Sequence, residues 1–304
     1  RHVGVELEIE DWEKVGLEIP MLVNLQPAGK YLGEDFHRAG GVPAVMNALL
    51  KAGKLHDSAI TVNGKTVADN YADTTTKDTE VIRTFLKPML ENAGFIVLKG
   101  NILDSAVMKT SVISDSFRSQ YLDKPGSLNI FEARAIVFEG PEDYHSRIND
   151  PQLNIDVDCI LVIRGCGPVG YPGSAEVVNM QPPDRLIREG ILELPTLGDG
   201  RQSGTSASPS ILNASPESAV GGGLALLKTG DMLRIDLNQG SLDVMLDKSE
   251  LQKRHDELKT EVIENQTPWQ EIYRNTVGQL SSGGIIELAA KYRKIRNTIP
   301  RHSH

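Results

Sequence analysis

Three stretches of the sequence place chemically capable side chains close together. The densest is Gly198-Asp199-Gly200-Arg201-Gln202-Ser203-Gly204-Thr205-Ser206-Ala207-Ser208, which follows the apolar run from Ile191 to Leu197. Glycines let backbone amides come close to a ligand, and hydroxyls can donate, accept or attack. The same composition also suits an ordinary surface loop. A serine hydrolase is excluded locally because no Gly-x-Ser-x-Gly elbow surrounds Ser203, and a Walker loop because the stretch has no Gly-Lys-Ser/Thr. The second stretch, Gly165-Cys166-Gly167-Pro168 through Gly173-Ser174-Ala175-Glu176, puts a carboxylate just beyond a glycine loop. Glu176 can bind a hard divalent cation or act as an acid or base; it also reads as a helix N-terminal glutamate facing water. Cys166 has no Cys-x-x-Cys partner and reads as a small inert thiol. The third stretch, Gly33-Glu34-Asp35-Phe36-His37, offers two acids and a histidine to a metal but reads more simply as a capped helix start.

These residues need a framework, and 304 residues at ~150 per domain give about two domains. The first segment, 1–85, alternates strand and helix signals. Met21–Leu25 is a short strand, Val42, Val45, Met46, Leu49 and Leu50 share a helix face closed by Gly53, and Asp78 caps a helix running to Phe85. The second segment is strand-rich, with Phe95–Gly100, Ala135–Phe138, Cys159–Ile163 and Asp231–Leu237. The continuous apolar runs 135–138 and 159–163 demand cover on both faces, as in a closed barrel or a covered sheet. Ser215 and Pro216 look like the N-cap and first residue of a helix. From Lys248 onward the chain reads as helical and charged, with Glu250 and Arg254 at i,i+4 spacing on a solvated helix, and a further helix over 269–292 broken at Gly283-Gly284.

Composition removes several functions. The net charge of −9 argues against a phosphate-backbone binder, and 5% aromatics leaves few stacking platforms, so no nucleic-acid partner is expected. No apolar run approaches the ~20 residues of a membrane span, so no membrane partner is expected either. Two cysteines, Cys159 and Cys166, cannot build a disulfide framework or hold an iron–sulfur cluster alone; a reducing, cytoplasmic location follows.

The motifs taken in order carry a resemblance. Asn24-Leu25-Gln26-Pro27-Ala28-Gly29-Lys30-Tyr31, Glu34-Asp35-Phe36-His37, Gly40 to Met46, Gly167-Pro168 through Glu176, Gly198 to Thr205 and Leu226 through Asp231 resemble the dihydroxy-acid dehydratase/phosphogluconate dehydratase family. The likeness covers nearly the whole chain. Arg201-Gln202-Ser203-Gly204-Thr205-Ser206 and Pro300-Arg301-His302 are similar to the sugar-acid (aldonate) branch; the branched-chain amino-acid branch usually has Phe after the Arg. The resemblance implies an α/β fold: the end of an N-terminal α/β sheet domain over 1–85, then a swivelling β-barrel domain with flanking helices over 86–304. It implies elimination of water across C2–C3 of an aldonate, giving a 2-keto-3-deoxy acid. Ser203 would be the base for the C2 proton, Thr205 would line the substrate pocket, and Glu176 would be a Mg²⁺ ligand. A metal near Ser203 is what a serine needs to act as a base at neutral pH.

The family's cluster cysteines and carbamylated-lysine motif are not in this sequence. The resemblance therefore implies a C-terminal portion, with an iron–sulfur cluster, [2Fe-2S] in type, held by residues outside this chain, and a homo-oligomer (dimer or tetramer) as the working protein. By itself the chain is expected to be inactive. Three alternatives are a non-catalytic assembly fragment of the same fold, a dihydroxy-acid dehydratase of branched-chain amino-acid synthesis, and an unrelated hydrolase using Glu34, Asp35, His37 and Glu176. The basic run Lys291, Arg293, Lys294, Arg296 and Arg301 reads as a solvated tail or as an attractor of anions, and His302 as a residue near it.

Overall fold

The apolar runs decide the architecture of the computed structural model, which describes residues 2, 4–204, 206–259 and 263–292. Eight strands close into a barrel: β1 (Phe95–Gly100), β2 (Leu103–Lys109), β3 (Ile130–Phe138), β4 (Cys159–Ile163), β5 (Thr196–Gly198), β6 (Ile211–Ser215), β7 (Met232–Asp236) and β8 (Ser241–Val244). The order around the barrel is β1-β2-β6-β5-β4-β3-β7-β8. Strands β3, β4, β5 and β6 run parallel, whereas β1–β2, β2–β6, β3–β7 and β7–β8 are antiparallel. A parallel pairing of Lys99 with Ser241 closes the ring. A Cβ on Gly100 would overlap the Leu242 carbonyl at this seam, so the close approach needs glycine.

Side-chain alternation explains why β3 and β4 read as continuous apolar runs. Ala135, Val137, Ile160 and Val162 point into the barrel with residues from all eight strands. Their neighbours Ile136, Phe138, Leu161 and Ile163 point outward and are covered by Ile148, Ile155, Leu186 and Leu194. All five residues of β4 are therefore buried, the two-sided cover expected of a parallel strand. The cover includes helices Pro141–Arg147 and Asp184–Arg188. No helix among the described residues is long and apolar enough to cross a membrane.

The residues before the barrel form helices Asp11–Gly16, Gly33–Arg38, Gly41–Lys51 and Val67–Tyr71. Ala39, Ala44, Val81 and Ile82 make a small core with Phe36 and Val45, whereas Asp11–Gly16 lies against β1, with Trp12 edge-on to Phe95. Helix Gly41–Lys51 ends in a Schellman turn, with Gly53 at φ +66 and the Lys54 amide donating to Leu49. Two local expectations change. Met21–Leu25 makes isolated bridges to Leu90, Ile82 and Tyr31 instead of a continuous strand. The segment after Asp78 forms turns, because Val81, Ile82 and Arg83 are taken up in pairing with residues 22–24.

Later segments differ too. Ser215 ends β6 instead of opening a helix, and a 3₁₀ turn, Ser218–Val220, follows it. Helix Lys248–Glu257 is anchored rather than merely solvated. Arg254, 10% exposed, pairs with Asp231, 9% exposed, at 2.6 Å, and keeps the expected bond to Glu250. Beyond it lie helix Pro268–Thr276, a 3₁₀ turn Leu280–Ser282 and helix Glu287–Ala290.

Candidate active site

Because β4, β5 and β6 run parallel, the segments that follow them leave from one end of the barrel. Asp199, fully buried, joins all three. Its Oδ1 accepts from the Cys166 amide at 2.9 Å. Its Oδ2 accepts from the Gly165 amide at 3.1 Å, the Ser218 amide at 2.9 Å and the Ser218 hydroxyl at 2.7 Å. Glu217, 1% exposed, repeats the device one turn further along. It accepts from the Val169 and Gly170 amides and from the Gln279 side chain, and its own amide donates to Gln279. Burial pushes the Glu217 carboxyl above the usual glutamate range, opposed by the amides of Gly170 and Val169. The glycine loop of residues 165–170 is thus held by carboxylates from two neighbouring loops.

A separate pairing sets Glu176 beside the Ser203 loop. Glu176 and Arg201 form a parallel bridge, with Arg201 N–H donating to Ala175 and Val178 N–H donating to Arg201. A Cβ on Gly200 would come within 2.9 Å of the Ala175 carbonyl, so the two segments can lie this close only with glycine there. The Arg201 guanidinium donates to the Ser174 carbonyl at 2.9 Å and reaches Glu176 Oε1 at 3.4 Å, an exposed ion pair. Glu176 therefore sits on an extended segment, not at a helix N-terminus. As a half-exposed carboxylate it fits a role as one oxygen ligand of a hard cation, which would displace Arg201.

Ser203 lines a cavity of about 420 Å³ outside the barrel wall. Trp12, Phe95, Val107, Leu212 and Ile285 supply its apolar walls. The Ser203 carbonyl closes a turn with the Ser206 amide, and the Gln202 side chain donates to Ser206 Oγ and to the Ser208 carbonyl. Lys109, at the end of β2, enters the same cavity, and burial lowers its pKa. Thr205, the basic residues from Arg293 onward and His302 lie outside the described residues.

The other candidates separate from this place. Asp35 accepts from the Leu32 amide and Glu34 pairs with Arg38, so Gly33–His37 is a capped helix start. No group of three His, Cys, Asp or Glu among the described residues could hold a metal ion. Cys159 and Cys166 are both fully buried. Burial pushes the Cys159 thiol up to about 11 and the Cys166 thiol higher still. Neither fits a cluster ligand, which must be a thiolate. Sequence reasoning gave no role to Asp199, Glu217 or Lys109. An acid set between two glycines directly after a buried strand was the readable signal for Asp199.

Comparison with known proteins gives the following. The dihydroxy-acid/6-phosphogluconate dehydratase C-terminal family matches residues 80–284, and the corresponding N-terminal family matches residues 1–70. D-xylonate dehydratase of Caulobacter vibrioides is 58% identical over 304 residues, covering 100% of this chain and 51% of that protein. L-arabinonate dehydratase of Rhizobium leguminosarum bv. trifolii is 42% identical over 253 residues, 83% of this chain and 42% of that protein. Dihydroxy-acid dehydratase of Acetivibrio thermocellus is 33% identical over 287 residues, 94% of this chain and 49% of that protein. The chain spans about half the length of the curated relatives it matches.

Proposed function

Because the chain belongs to the dihydroxy-acid/6-phosphogluconate dehydratase family, we propose that it supplies the proton-abstracting serine of a hydro-lyase acting on a sugar acid. One observation supports this most: Ser203 stands in a cavity on the loop that pairs with the Glu176 segment. That arrangement occurs in a chain similar to a D-xylonate dehydratase and an L-arabinonate dehydratase. In the reaction, Ser203 Oγ takes the C2 proton, the C2=C3 bond forms, and the C3–O bond breaks. The C3 hydroxyl leaves as water with the proton that Ser203 took from C2, which restores the base, and the enol tautomerises to a 2-keto-3-deoxy acid. Arg201, paired with Ala175 and Val178, holds the serine loop against the Glu176 segment, which helps to position the base.

Glu176 would contribute one ligand to Mg²⁺, a Lewis acid that stabilises charge developing on the substrate carboxylate. The cysteines here do not fit an iron–sulfur cluster; its ligands would come from residues other than these. The same reading divides the chain near residue 85, makes the working protein a cytoplasmic homo-oligomer, and leaves this chain inactive without the cluster ligands. The test is a substrate panel on the protein carrying this chain. C5 and C6 aldonates should yield 2-keto-3-deoxy acids, and branched-chain 2,3-dihydroxy acids should react far more slowly. Preference for the branched-chain acids, or no elimination from any aldonate, would overturn the reading.

A further inference from the structure

The cavity beside Ser203 contains a cation that no acid in the described structure neutralises. Lys109 is half-buried, and desolvation is the sole cause of its lowered pKa. Among the described residues its hydrogen-bond partner is the Ser206 carbonyl at a long 3.4 Å. Glu8 also lines the cavity but forms no ion pair with it. An ammonium that shares a cavity with Phe95, Val107 and Leu212 has lost part of its water, one distant carbonyl does not replace it, and a bound anion would. A second polar group lines the same space. Asn213, in the left-handed region at φ +58, has a buried Oδ1 with no hydrogen-bond partner among the described residues. A cation and a polar side chain on the wall of one cavity suit a ligand that carries both a carboxylate and hydroxyls.

We infer that this cavity binds the carboxylate of a small hydroxy acid, with Lys109 as its anchor. The identity of the acid rests on the hydro-lyase reading; the anion site does not. A carboxylate has about four lone-pair sites, so anchoring by Lys109 leaves room for a divalent cation on the same group.

The experiment is calorimetric titration of the protein carrying this chain with D-xylonate and with xylitol, its uncharged counterpart. Loss of one charge-assisted bond corresponds to about ten- to hundredfold weaker binding of D-xylonate by Lys109→Met, with xylitol unchanged and Lys109→Arg close to wild type. D-xylonate binding by Lys109→Met within about twofold of wild type would overturn the inference, as would its failure to bind the wild type. If Lys109→Met does not fold, the wild type decides. Lys109, followed by NMR of its ε-carbon, should titrate at higher pH with D-xylonate than with xylitol, and an unchanged titration would overturn the assignment. Lys109-dependent binding without elimination would sink the hydro-lyase reading and leave the site standing; elimination with an unchanged KM in Lys109→Met would do the reverse.

Discussion

Replacing Asp199 with asparagine is expected to free the glycine loop, and the size of the effect follows from its four hydrogen bonds. The asparagine oxygen can take the place of Oδ2 and keep the bonds from Gly165 N–H, Ser218 N–H and Ser218 Oγ–H. Its NH₂ then faces the Cys166 N–H, whose acceptor among the described residues is Oδ1 alone. One charge-assisted bond, about 1.5–3 kcal/mol, is lost, and two buried donors are set against each other at about 1–3 kcal/mol. The three retained bonds also lose their charge assistance. Removing a buried charge relieves desolvation, which pulls the other way. The hydrogen-bond loss wins because the Cys166 amide has no alternative acceptor, and the net cost is about 3–5 kcal/mol. That is a large share of the ~5–15 kcal/mol typical of a folded domain. Urea unfolding followed by circular dichroism measures it, and hydrogen exchange at Gly165, Cys166 and Ser218 locates it. An unchanged midpoint together with unchanged exchange at those amides would refute the clamp.

Other outcomes are equally definite. Glu217 binds its proton more tightly folded than unfolded, so protonation stabilises the fold. Relative to Glu217→Gln, the wild type should gain stability as pH falls from its raised value toward the ordinary glutamate range, and lose it as pH rises; equal pH profiles would contradict this. Cys159 and Cys166 should resist thiol reagents at pH 8 in the folded protein and react promptly in denaturant, whereas fast labelling of the folded protein would show the burial to be wrong. Arg254→Met strands the carboxylate of Asp231, itself 9% exposed, and should cost about 3–5 kcal/mol in chemical denaturation; a change below ~1 kcal/mol would mean that the pair is solvated.

The barrel was legible where alternation and burial agreed. Cys159–Ile163 is a strand with the bounds its apolar run suggests, and Phe95–Gly100 likewise. Met21–Leu25 misled because a short apolar run says nothing about partners, and its partners here are single residues at 31, 82 and 90. Ser215-Pro216 has the chemistry of a helix start, yet β6 runs through Ser215, so tertiary pairing overrode local preference. For the site, glycine and hydroxyl density singled out the Ser203 loop, and a lone acid after a glycine loop singled out Glu176. Nothing local reveals that Asp199 reaches residues 34 positions back and 19 ahead, because those bonds exist only once three strands are side by side. Lys109 was hidden for a similar reason: a charged residue ending a strand normally faces water, and only the packing of residues 7–12 and 280–285 around it makes a cavity.

On the proposed mechanism, Ser203 removes the C2 proton of a sugar acid. Single-turnover elimination from D-xylonate, protonated or deuterated at C2, by the protein carrying this chain and by its Ser203→Ala variant tests it most directly. The wild type should show a primary isotope effect. Ser203→Ala should lose about 10²–10⁴-fold in rate, the usual worth of a positioned base, while binding of D-xylonate is retained. A Ser203→Ala rate within a few-fold of wild type would contradict it.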